Sequence, residues 1–388
     1  MFISKPPMGW NSWNTFGHDI NEDVVKKSAD ILISSGLASA GYEYIVIDDC
    51  WSLKERDENG RLVADPKKFP SGMKALADYI HSKDLKFGMY SCAGNLTCAG
   101  YPGSFEHEWE DAKSFAEWGV DYLKYDYCYH PQTVQGYANY RRMGLALANC
   151  GRDILYSACS WGADGTKHWV KSSGANIWRS TGDLFDNWQS LKDHSLAAVK
   201  SLEYSSVNSF ADMDMLIVGI NGGGKIGVTG LKSDEYKMHF ALWALLGSPL
   251  MIGCDIEKMD DEAKAILTNA ELIKINQDPA QNQPFMLGHE RTDEAQEYPT
   301  NEIFSYAKLL DNGDIAIGIF NFSDYETPNW DPAHISTDIL GLPESTGKTL
   351  FMTELYTGKQ VTVTNGIYRE NIPAHSCSIY RAKVVDKR

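Results

Sequence analysis

The stretch VDYLKYDYCYH, residues 120–130, combines a β-strand pattern with charged side chains that could do chemistry. Alternate residues of a strand share one face, so Lys124, Asp126 and Cys128 are predicted to point the same way. A buried carboxylate is costly unless it is paired, and Lys124 is predicted to pair with Asp126 and to keep it ionised near neutral pH. An ionised, oriented carboxylate can act as a nucleophile. A structural salt bridge is the alternative interpretation for this pair taken alone.

Polar side chains also end the other predicted strands. The set comprises Trp10, Asp48, Asp49, Tyr90, Lys124, Asp126, Cys159, Ser160, Trp161, Arg179, Asp183, Asp212 and Asp214. Functional residues of a (β/α)8 barrel stand at the carboxyl ends of its strands, so these side chains are predicted to converge on one mouth. Two carboxylates across an anomeric carbon, with groups that bind hydroxyls, suit glycoside hydrolysis. A metal-dependent barrel lyase also gathers carboxylates and stays an alternative, although we place no histidine at this mouth.

The sequence elements that position these residues repeat in one order: a helical pattern, then a glycine, then a short apolar run. This order gives about eight strands alternating with helices, which predicts an α/β fold with a (β/α)8 TIM barrel over residues 1–285. Short alternating runs with turn signals then predict a small C-terminal antiparallel β-sandwich domain over residues 286–388. A doubly wound open sheet competes, but no glycine-rich phosphate turn follows the first strand. We interpret NGGGK, residues 221–225, as a loop.

Composition narrows the partners of the chain. Its 388 residues carry a net charge of −16, which argues against nucleic acid and anionic membranes as partners, because phosphate-binding surfaces need a basic patch. The eight cysteines include no pair with zinc-site spacing. The N-terminal segment lacks the long apolar run of a signal peptide, so we expect a cytoplasmic protein if Met1 is the native start. We expect a secreted one if a signal peptide has been removed; homo-oligomerisation is left open.

Five motifs then become recognisable together: PPMGWNSW, IDDCW, TCAGYPGS, WGVDYLKYDYC and WRSTGD. They resemble the glycoside hydrolase family of retaining α-galactosidases and α-N-acetylgalactosaminidases, which includes lysosomal, plant and fungal enzymes. The resemblance runs from the first residues to about residue 285. It implies a (β/α)8 barrel followed by an antiparallel β domain, with no metal and no cofactor.

The resemblance also implies roles for individual residues. Asp126, in KYD, corresponds to the nucleophile, and Asp183, which closes WRSTGD, corresponds to the acid/base. The implied substrate-binding residues are Trp10, Asp48, Asp49, Tyr90, Cys98, Lys124, Ser160, Trp161, Ala163, Arg179 and Asp214. Among them, Asp48 and Asp49 are expected to bind the 4- and 6-hydroxyls of a galactose-type ring, and Arg179 is expected near its 2-position.

Two cysteines match a further family feature. Cys98 and Cys128 correspond to a cysteine pair that is disulfide-bonded in the secreted members of the family. The resemblance therefore implies a disulfide between them.

The segment CSWGADG departs from the commoner family pattern. Many α-galactosidases carry a larger residue where this chain has Ser160, and often where it has Ala163. Small residues at both places resemble the animal α-N-acetylgalactosaminidases, in which they make room for a 2-acetamido group. We expect a retaining exo-acting α-galactosidase that acts on terminal α-galactosides. An α-N-acetylgalactosaminidase is the alternative, and a catalytically silent sugar-binding protein is a remote one.

Overall fold

The structure is a computed structural model that describes residues 1–289, 302–327 and 332–387. The chain divides into two compact units. Unit 1 comprises Met1–Leu231 and Ser248–Thr268, and unit 2 comprises Lys232–Gly247 and Asn269–Arg388. The predicted boundary at residue 285 stays a prediction, and residues 290–301 beside it lie outside the described residues.

Within residues 1–289, unit 1 contains an eight-stranded parallel sheet that curls into a TIM-like barrel. Its strands are β1 (Met8–Asn11), β2 (Tyr44–Val46), β3 (Lys86–Cys92), β4 (Tyr122–Asp126), β5 (Leu155–Cys159), β6 (Ile177–Arg179), β7 (Phe210–Asp212) and β8 (Leu250–Ile252). The spatial order is β7-β6-β5-β4-β3-β2-β1-β8. Leu216, which follows β7, donates to the Met251 carbonyl and accepts from the Gly253 amide, so it closes the sheet against β8. The predicted barrel is confirmed.

Helices alternate with these strands. They are α1 (Trp13–Phe16), α2 (Glu22–Ser34), α3 (Leu37–Ala40), α4 (Gly72–His81), α5 (Glu108–Trp118), α6 (Gly136–Ala148), α7 (Thr166–Ser173), α8 (Trp188–Val199), α9 (Ser233–Leu246), α10 (Asp261–Leu267) and α11 (Ala270–Asn276). The start of α2 follows from its sequence, because the Asn21 side chain accepts a hydrogen bond from the Val24 amide and so caps the first turn. In the part of the chain that the structure describes, no helix has both the length and the apolar character needed to cross a membrane.

Unit 2 carries the predicted antiparallel β-sandwich. Its strands are β9 (Phe285–His289), β10 (Ile303–Leu309), β11 (Ile315–Asn321), β12 (Ala333–Ser336), β13 (Lys348–Glu354), β14 (Gln360–Thr362), β15 (Ile367–Glu370) and β16 (Ser376–Asp386). Among the described residues, six of them form one sheet in the order β14-β13-β16-β11-β10-β9, and β12 pairs with β15. Ile317 and Leu350 of the larger sheet share one buried apolar cluster with Ile335 of the smaller sheet.

Strand alternation in the barrel decides which side chains reach its mouth. Tyr44, Val46, Tyr122, Leu155, Ile177 and Phe210 form one buried cluster inside the barrel. Side chains two residues further along a strand keep the same direction. The inward positions that follow the apolar layer are therefore Lys124 and Asp126 on β4, Cys159 on β5, Arg179 on β6 and Asp212 on β7. The polar side chains at the strand ends therefore pack directly above the apolar layer of the barrel interior.

Candidate active site

A cavity of about 300 Å³ opens at the carboxyl ends of the strands of unit 1. Most of the residues predicted for the site line it. These are Asp48, Asp49, Tyr90, Cys98, Lys124, Asp126, Cys128, Trp161, Arg179, Asp183 and Asp214. Segments separated by more than 150 residues in sequence therefore meet in one cavity, as the barrel hypothesis requires.

Trp10 does not line the cavity, and its predicted placement is corrected. Gly9 and Asn11 stand opposite Tyr44 and Val46 of β2, which face the barrel interior, so Trp10 faces the other way. Its ring is fully buried, and its indole nitrogen donates to the Cys254 carbonyl at 2.9 Å. Trp13, three residues later, lines the cavity instead.

Ser160 and Ala163 do not line the cavity either. Cys159 stands in register with Asp126, which places it on the inward face, so the next residue points away from the barrel axis. Ser160 is fully buried, and its hydroxyl lies 2.5 Å from that of Thr166. The predicted placement of Ser160 at the cavity mouth is therefore corrected, and the role of Ser160 and Ala163 beside the sugar 2-position stays a prediction.

Asp126 lies on the floor of the cavity, where only 6% of its surface is exposed. The Tyr90 hydroxyl donates to its Oδ2 at 3.0 Å, and the Tyr127 amide donates to its Oδ1 at 2.9 Å. Burial raises the pKa of Asp126 to about 6, although the nearby Lys124 ammonium opposes the rise. The carboxyl is thus mainly ionised at pH 7, and its two donors fix the orientation of both oxygens.

The predicted direct pairing of Lys124 with Asp126 is corrected. The Lys124 ammonium lies 2.8 Å from Asp48 Oδ2, which also accepts a hydrogen bond from the Asn11 side-chain amide at 2.8 Å. Lys124 therefore acts on Asp126 through its electric field, whereas its hydrogen-bonded ion pair is with Asp48 beyond the end of β2, two strands away in the sheet. This arrangement fixes Asp48 in the cavity wall with a defined orientation.

Asp183 stands nearer the cavity mouth, with 62% of its side chain exposed. Arg179 links it to the wall, because one guanidinium nitrogen lies 3.0 Å from Asp183 Oδ1 and another lies 3.0 Å from Asp214 Oδ1. Partial burial would raise the pKa of Asp183, but the positive charges of Arg179 and Lys124 outweigh burial and hold that pKa below its ordinary value. The two aspartates thus occupy different depths and have pKa values shifted in opposite directions.

Cys98 and Cys128 form a disulfide in this wall, with their Cα atoms 5.1 Å apart. The Tyr90 hydroxyl lies 3.4 Å from the Cys98 sulfur while it also contacts Asp126. The two sulfurs and an Asp126 oxygen lie within 4.8 Å of one another, but sulfurs bonded to each other offer no thiolate ligand for a metal. The disulfide joins the loops after β3 and β4 beside the reactive carboxyl.

Sequence reasoning missed seven lining residues: Trp13, Asn14, Leu184, Phe185, Met215, Lys225 and Ile226. Leu184 and Phe185 directly follow Asp183, so the position of that aspartate could have indicated them. Lys225 belongs to the NGGGK segment, which the sequence presents as a loop with no phosphate-site spacing. Nothing in a single sequence indicates that this loop reaches the cavity.

The fold and the cavity together define a class, the barrel hydrolases that act with two carboxylates at the strand ends. Comparison with known families shows which family of this class includes the chain. Residues 5–278 match the family model described as alpha galactosidase A, and residues 300–382 match the alpha galactosidase C-terminal beta sandwich domain. The chain belongs to the alpha-galactosidase family, as its motifs indicated.

Individual relatives agree with this assignment. The chain is 42% identical over 379 residues to an alpha-galactosidase of Cyamopsis tetragonoloba. This alignment covers 97% of this chain and 85% of the relative. The chain is also 42% identical over 378 residues to alpha-galactosidase 3 of Arabidopsis thaliana, covering 97% and 81%. Among solved structures, the alpha-galactosidase MEL1 of Saccharomyces cerevisiae matches with a TM-score of 0.87 and 31% identity, covering 98% of both chains.

Proposed function

We propose that this protein is a retaining, exo-acting α-galactosidase that removes terminal α-linked galactose from oligosaccharides or glycoconjugates. The observation that carries the proposal is the placement of two carboxyls at different depths of one small cavity, Asp126 on the floor and Asp183 near the mouth. A volume of about 300 Å³ is at the lower end for ligand pockets and suits a terminal sugar. A terminal ring seated on Asp126 would present its glycosidic oxygen toward Asp183.

The proposed reaction has two displacements. In the first, an Asp126 oxygen forms a bond to the anomeric carbon while Asp183 gives its proton to the departing glycosidic oxygen. In the second, Asp183 takes a proton from water, whose oxygen attacks the anomeric carbon and releases Asp126 as a carboxylate. Each displacement inverts the anomeric centre, so the product retains the α configuration. The hydrogen bonds from Tyr90 and Tyr127 orient the nucleophile for the first step.

The remaining polar wall supplies groups for the ring hydroxyls. Asp48 and Asp49 offer carboxylate acceptors, and Lys124 and Arg179 offer donors. Hydrogen bonds that involve charged groups are roughly twice as strong as neutral ones, which suits recognition of a neutral, hydroxyl-rich ligand. The half-buried indole of Trp13 offers an apolar face of the kind that sugars contact.

A side-by-side assay of aryl α-galactoside and aryl α-N-acetylgalactosaminide tests the substrate. We expect turnover of the galactoside, with α-galactose as the first product seen by proton NMR. We expect a much lower kcat/KM for the acetamido substrate, because Ser160 and Ala163, which suggested room for its acetamido group, do not line the cavity. Preferential turnover of the acetamido substrate, or β-galactose as the first product, would contradict the proposal.

The two carboxyls predict an acidic pH optimum. The reaction requires that Asp183 carry a proton and that Asp126 be ionised. The pKa shifts favour the opposite arrangement, in which the single proton of the pair is mainly on Asp126. Both arrangements carry one proton, so their ratio is independent of pH and kcat/KM follows the singly protonated population. That population is lost as the pH rises through the Asp126 pKa of about 6. We therefore expect kcat/KM to fall about tenfold per pH unit above that value.

Initial rates on a nitrophenyl α-galactoside between acidic and mildly alkaline pH would measure this profile. Returning samples to acidic pH would control for irreversible inactivation. A kcat/KM that increases through the Asp126 pKa and then levels off would contradict the shared-proton explanation.

A further inference from the structure

We propose that Asp164, which lies outside the cavity, positions the nucleophile Asp126 by holding the residue that follows it, Tyr127. The inference rests on the proposed function, since it concerns the residue that attacks the anomeric carbon. Of the described residues, those that line the cavity do not include Asp164. Asp164 would therefore act through Tyr127 without touching the substrate, which makes it a positioning residue.

Tyr127 connects the nucleophile to its surroundings. Its amide donates to Asp126 Oδ1 at 2.9 Å, so the direction of the backbone at Tyr127 helps to decide where that oxygen points. The Tyr127 side chain is buried, and its ring is stacked on the imidazole of His130, with the two ring centroids 3.8 Å apart. A displacement of the Tyr127 ring would therefore reach the nucleophile through a single peptide amide.

One oxygen of Asp164 holds this ring in place. The Tyr127 hydroxyl donates to Asp164 Oδ2 at 2.6 Å, and the Gly136 amide donates to the same oxygen at 3.1 Å. Gly136 begins α6, so the carboxylate lies at the positive end of a helix of 13 residues. Hydrogen bonds to a charged acceptor are roughly twice as strong as neutral ones. The Tyr127 hydroxyl therefore has a strong acceptor that α6 itself helps to fix.

Close packing around this hydrogen bond leaves little room for the ring to move. A Cβ atom on Gly136 would come within 3.0 Å of the Tyr127 hydroxyl and within 3.1 Å of Asp164 Oδ2. The backbone of Asp164 is anchored as well, because its carbonyl accepts from the Trp169 indole nitrogen at 2.9 Å. Tyr127 and Asp164 are therefore held against each other from both sides of the contact.

The backbone conformation around Asp164 is an unusual one. Trp161 and Asp164 have φ angles of 57° and 51°, in the left-handed region that residues other than glycine rarely adopt. Such conformations persist where surrounding contacts hold them, and they cluster at functional sites. Trp161 lines the cavity, and its ring meets the Tyr127 ring in a T-shaped contact. The hydrogen bond thus joins the loop after β5, which carries Trp161, to the end of β4, which carries Asp126.

Removing either partner of the hydrogen bond tests the positioning role. We expect Asp164→Gly to lower kcat/KM for a nitrophenyl α-galactoside about tenfold at a pH below the Asp126 pKa, because a loosely held nucleophile spends less time in the attacking geometry. Glycine is chosen because it adopts the positive φ of this position without strain. Tyr127→Phe should lose about as much. The double variant should lose no more than either single variant, since both act through one contact.

Two further variants serve as controls. Asp164→Asn should restore most of the activity that Asp164→Gly loses, because the carbonyl oxygen of an amide can accept both of the hydrogen bonds that Oδ2 accepts. Asp84 is another exposed aspartate with a positive φ, 58°, and it lies outside the cavity. Asp84→Gly should therefore leave kcat/KM unchanged.

The pH profile distinguishes positioning from a general loss of structure. The Tyr127 amide lowers the Asp126 pKa, so a weaker hydrogen bond from that amide would raise this pKa. The alkaline fall of kcat/KM should therefore move to higher pH by about half a pH unit in Asp164→Gly and in Tyr127→Phe. Loss of the negative charge at Asp164 would by itself move the fall to lower pH. Both variants keep the neighbouring titratable groups, among them Asp48, Tyr90, Cys92, Lys124, Cys159 and Asp183.

Gly136→Ala reaches the same contact if Asp164→Gly does not fold. Its Cβ would push on both partners of the hydrogen bond, so we expect the same upward shift of the pH profile with a loss of about threefold. An unchanged pH profile in Asp164→Gly and Tyr127→Phe, or a loss in Asp164→Asn as large as that in Asp164→Gly, would overturn the positioning role. A wild-type protein that does not hydrolyse the galactoside would instead overturn the proposed function itself.

Discussion

Replacing Asp126 with asparagine is expected to lower kcat/KM for every α-galactoside by on the order of 10⁴-fold or more, because the amide cannot form the glycosyl–enzyme ester. The fold should survive. A carboxyl whose pKa is raised by folding destabilises the folded state as the pH rises through that pKa, so removing this charge should not lower Tm at neutral pH. Steady-state kinetics and thermal unfolding of the same preparation would measure both effects.

Asp212 offers a matched control. It also ends a strand of the barrel, and burial raises its pKa to about 6, as burial does for Asp126. However, it does not line the cavity within the described residues, and its Oδ1 accepts from the Asp214 amide. Asp212→Asn should therefore lose at least about 100-fold less activity than Asp126→Asn. Comparable losses for the two variants would mean that the Asp126 effect is one of structure.

An Asp126→Ala variant adds a chemical test. The shortened side chain leaves space for azide on the face that Asp126 attacks. Azide that displaces the leaving group from that face should yield β-galactosyl azide in a single inversion. Rescue that gave the α product would place the nucleophile elsewhere in the cavity.

The fold was predictable because its signals are local and repeat. Several barrel strands are short apolar runs that follow a glycine within a few residues, among them Tyr44–Val46, Tyr122–Asp126 and Ile177–Arg179. The convergence of their polar ends then follows from topology alone, since parallel strands of a barrel place their carboxyl ends on one side. Asp48, Lys124 and Asp126 could thus be brought together without any coordinates.

The errors arose where strand alternation decides direction and where strands give way to loops. Trp10 was expected at the mouth because it follows an apolar start, yet alternation turns it outward and leaves the position to Trp13. Ser160 was expected there because it follows a strand end, yet Cys159 already occupies the inward direction. Lys225 illustrates the remaining limit, because its place depends on the hydrogen bond from its amide to the Asn14 carbonyl, 211 residues earlier.

The pKa of Asp183 suits a general acid only after the substrate has bound. Arg179 holds the pKa of Asp183 below its ordinary value, whereas a general acid must carry a proton. We expect a sugar hydroxyl near the 2-position to compete for the Arg179 guanidinium. Weakening the ion pair would raise the pKa of Asp183 and move the shared proton toward the leaving group. Binding would then prepare the acid only when a ring is in place.

Asp183→Ala is expected to separate substrates by the quality of their leaving groups. The hexose of melibiose departs as an alkoxide unless its oxygen is protonated, so kcat/KM for melibiose should fall by about 10²–10⁴-fold. A 2,4-dinitrophenyl α-galactoside needs no proton for departure, so its kcat/KM should change by less than about tenfold. Its hydrolysis should then stall at the second displacement, which lacks a base, and a burst of dinitrophenol should precede slow turnover.

Azide and a neighbouring aspartate complete the test of the acid/base. Azide needs no general base, so it should restore turnover of the dinitrophenyl substrate by the Asp183→Ala variant. It would attack the glycosyl–enzyme from the face opposite Asp126 and should therefore give α-galactosyl azide, the opposite anomer to that expected from Asp126→Ala. Asp193→Ala, which removes an exposed carboxylate outside the cavity, should leave both substrates unaffected. Equal losses on melibiose and on the dinitrophenyl substrate would mean that Asp183 holds the sugar without protonating it.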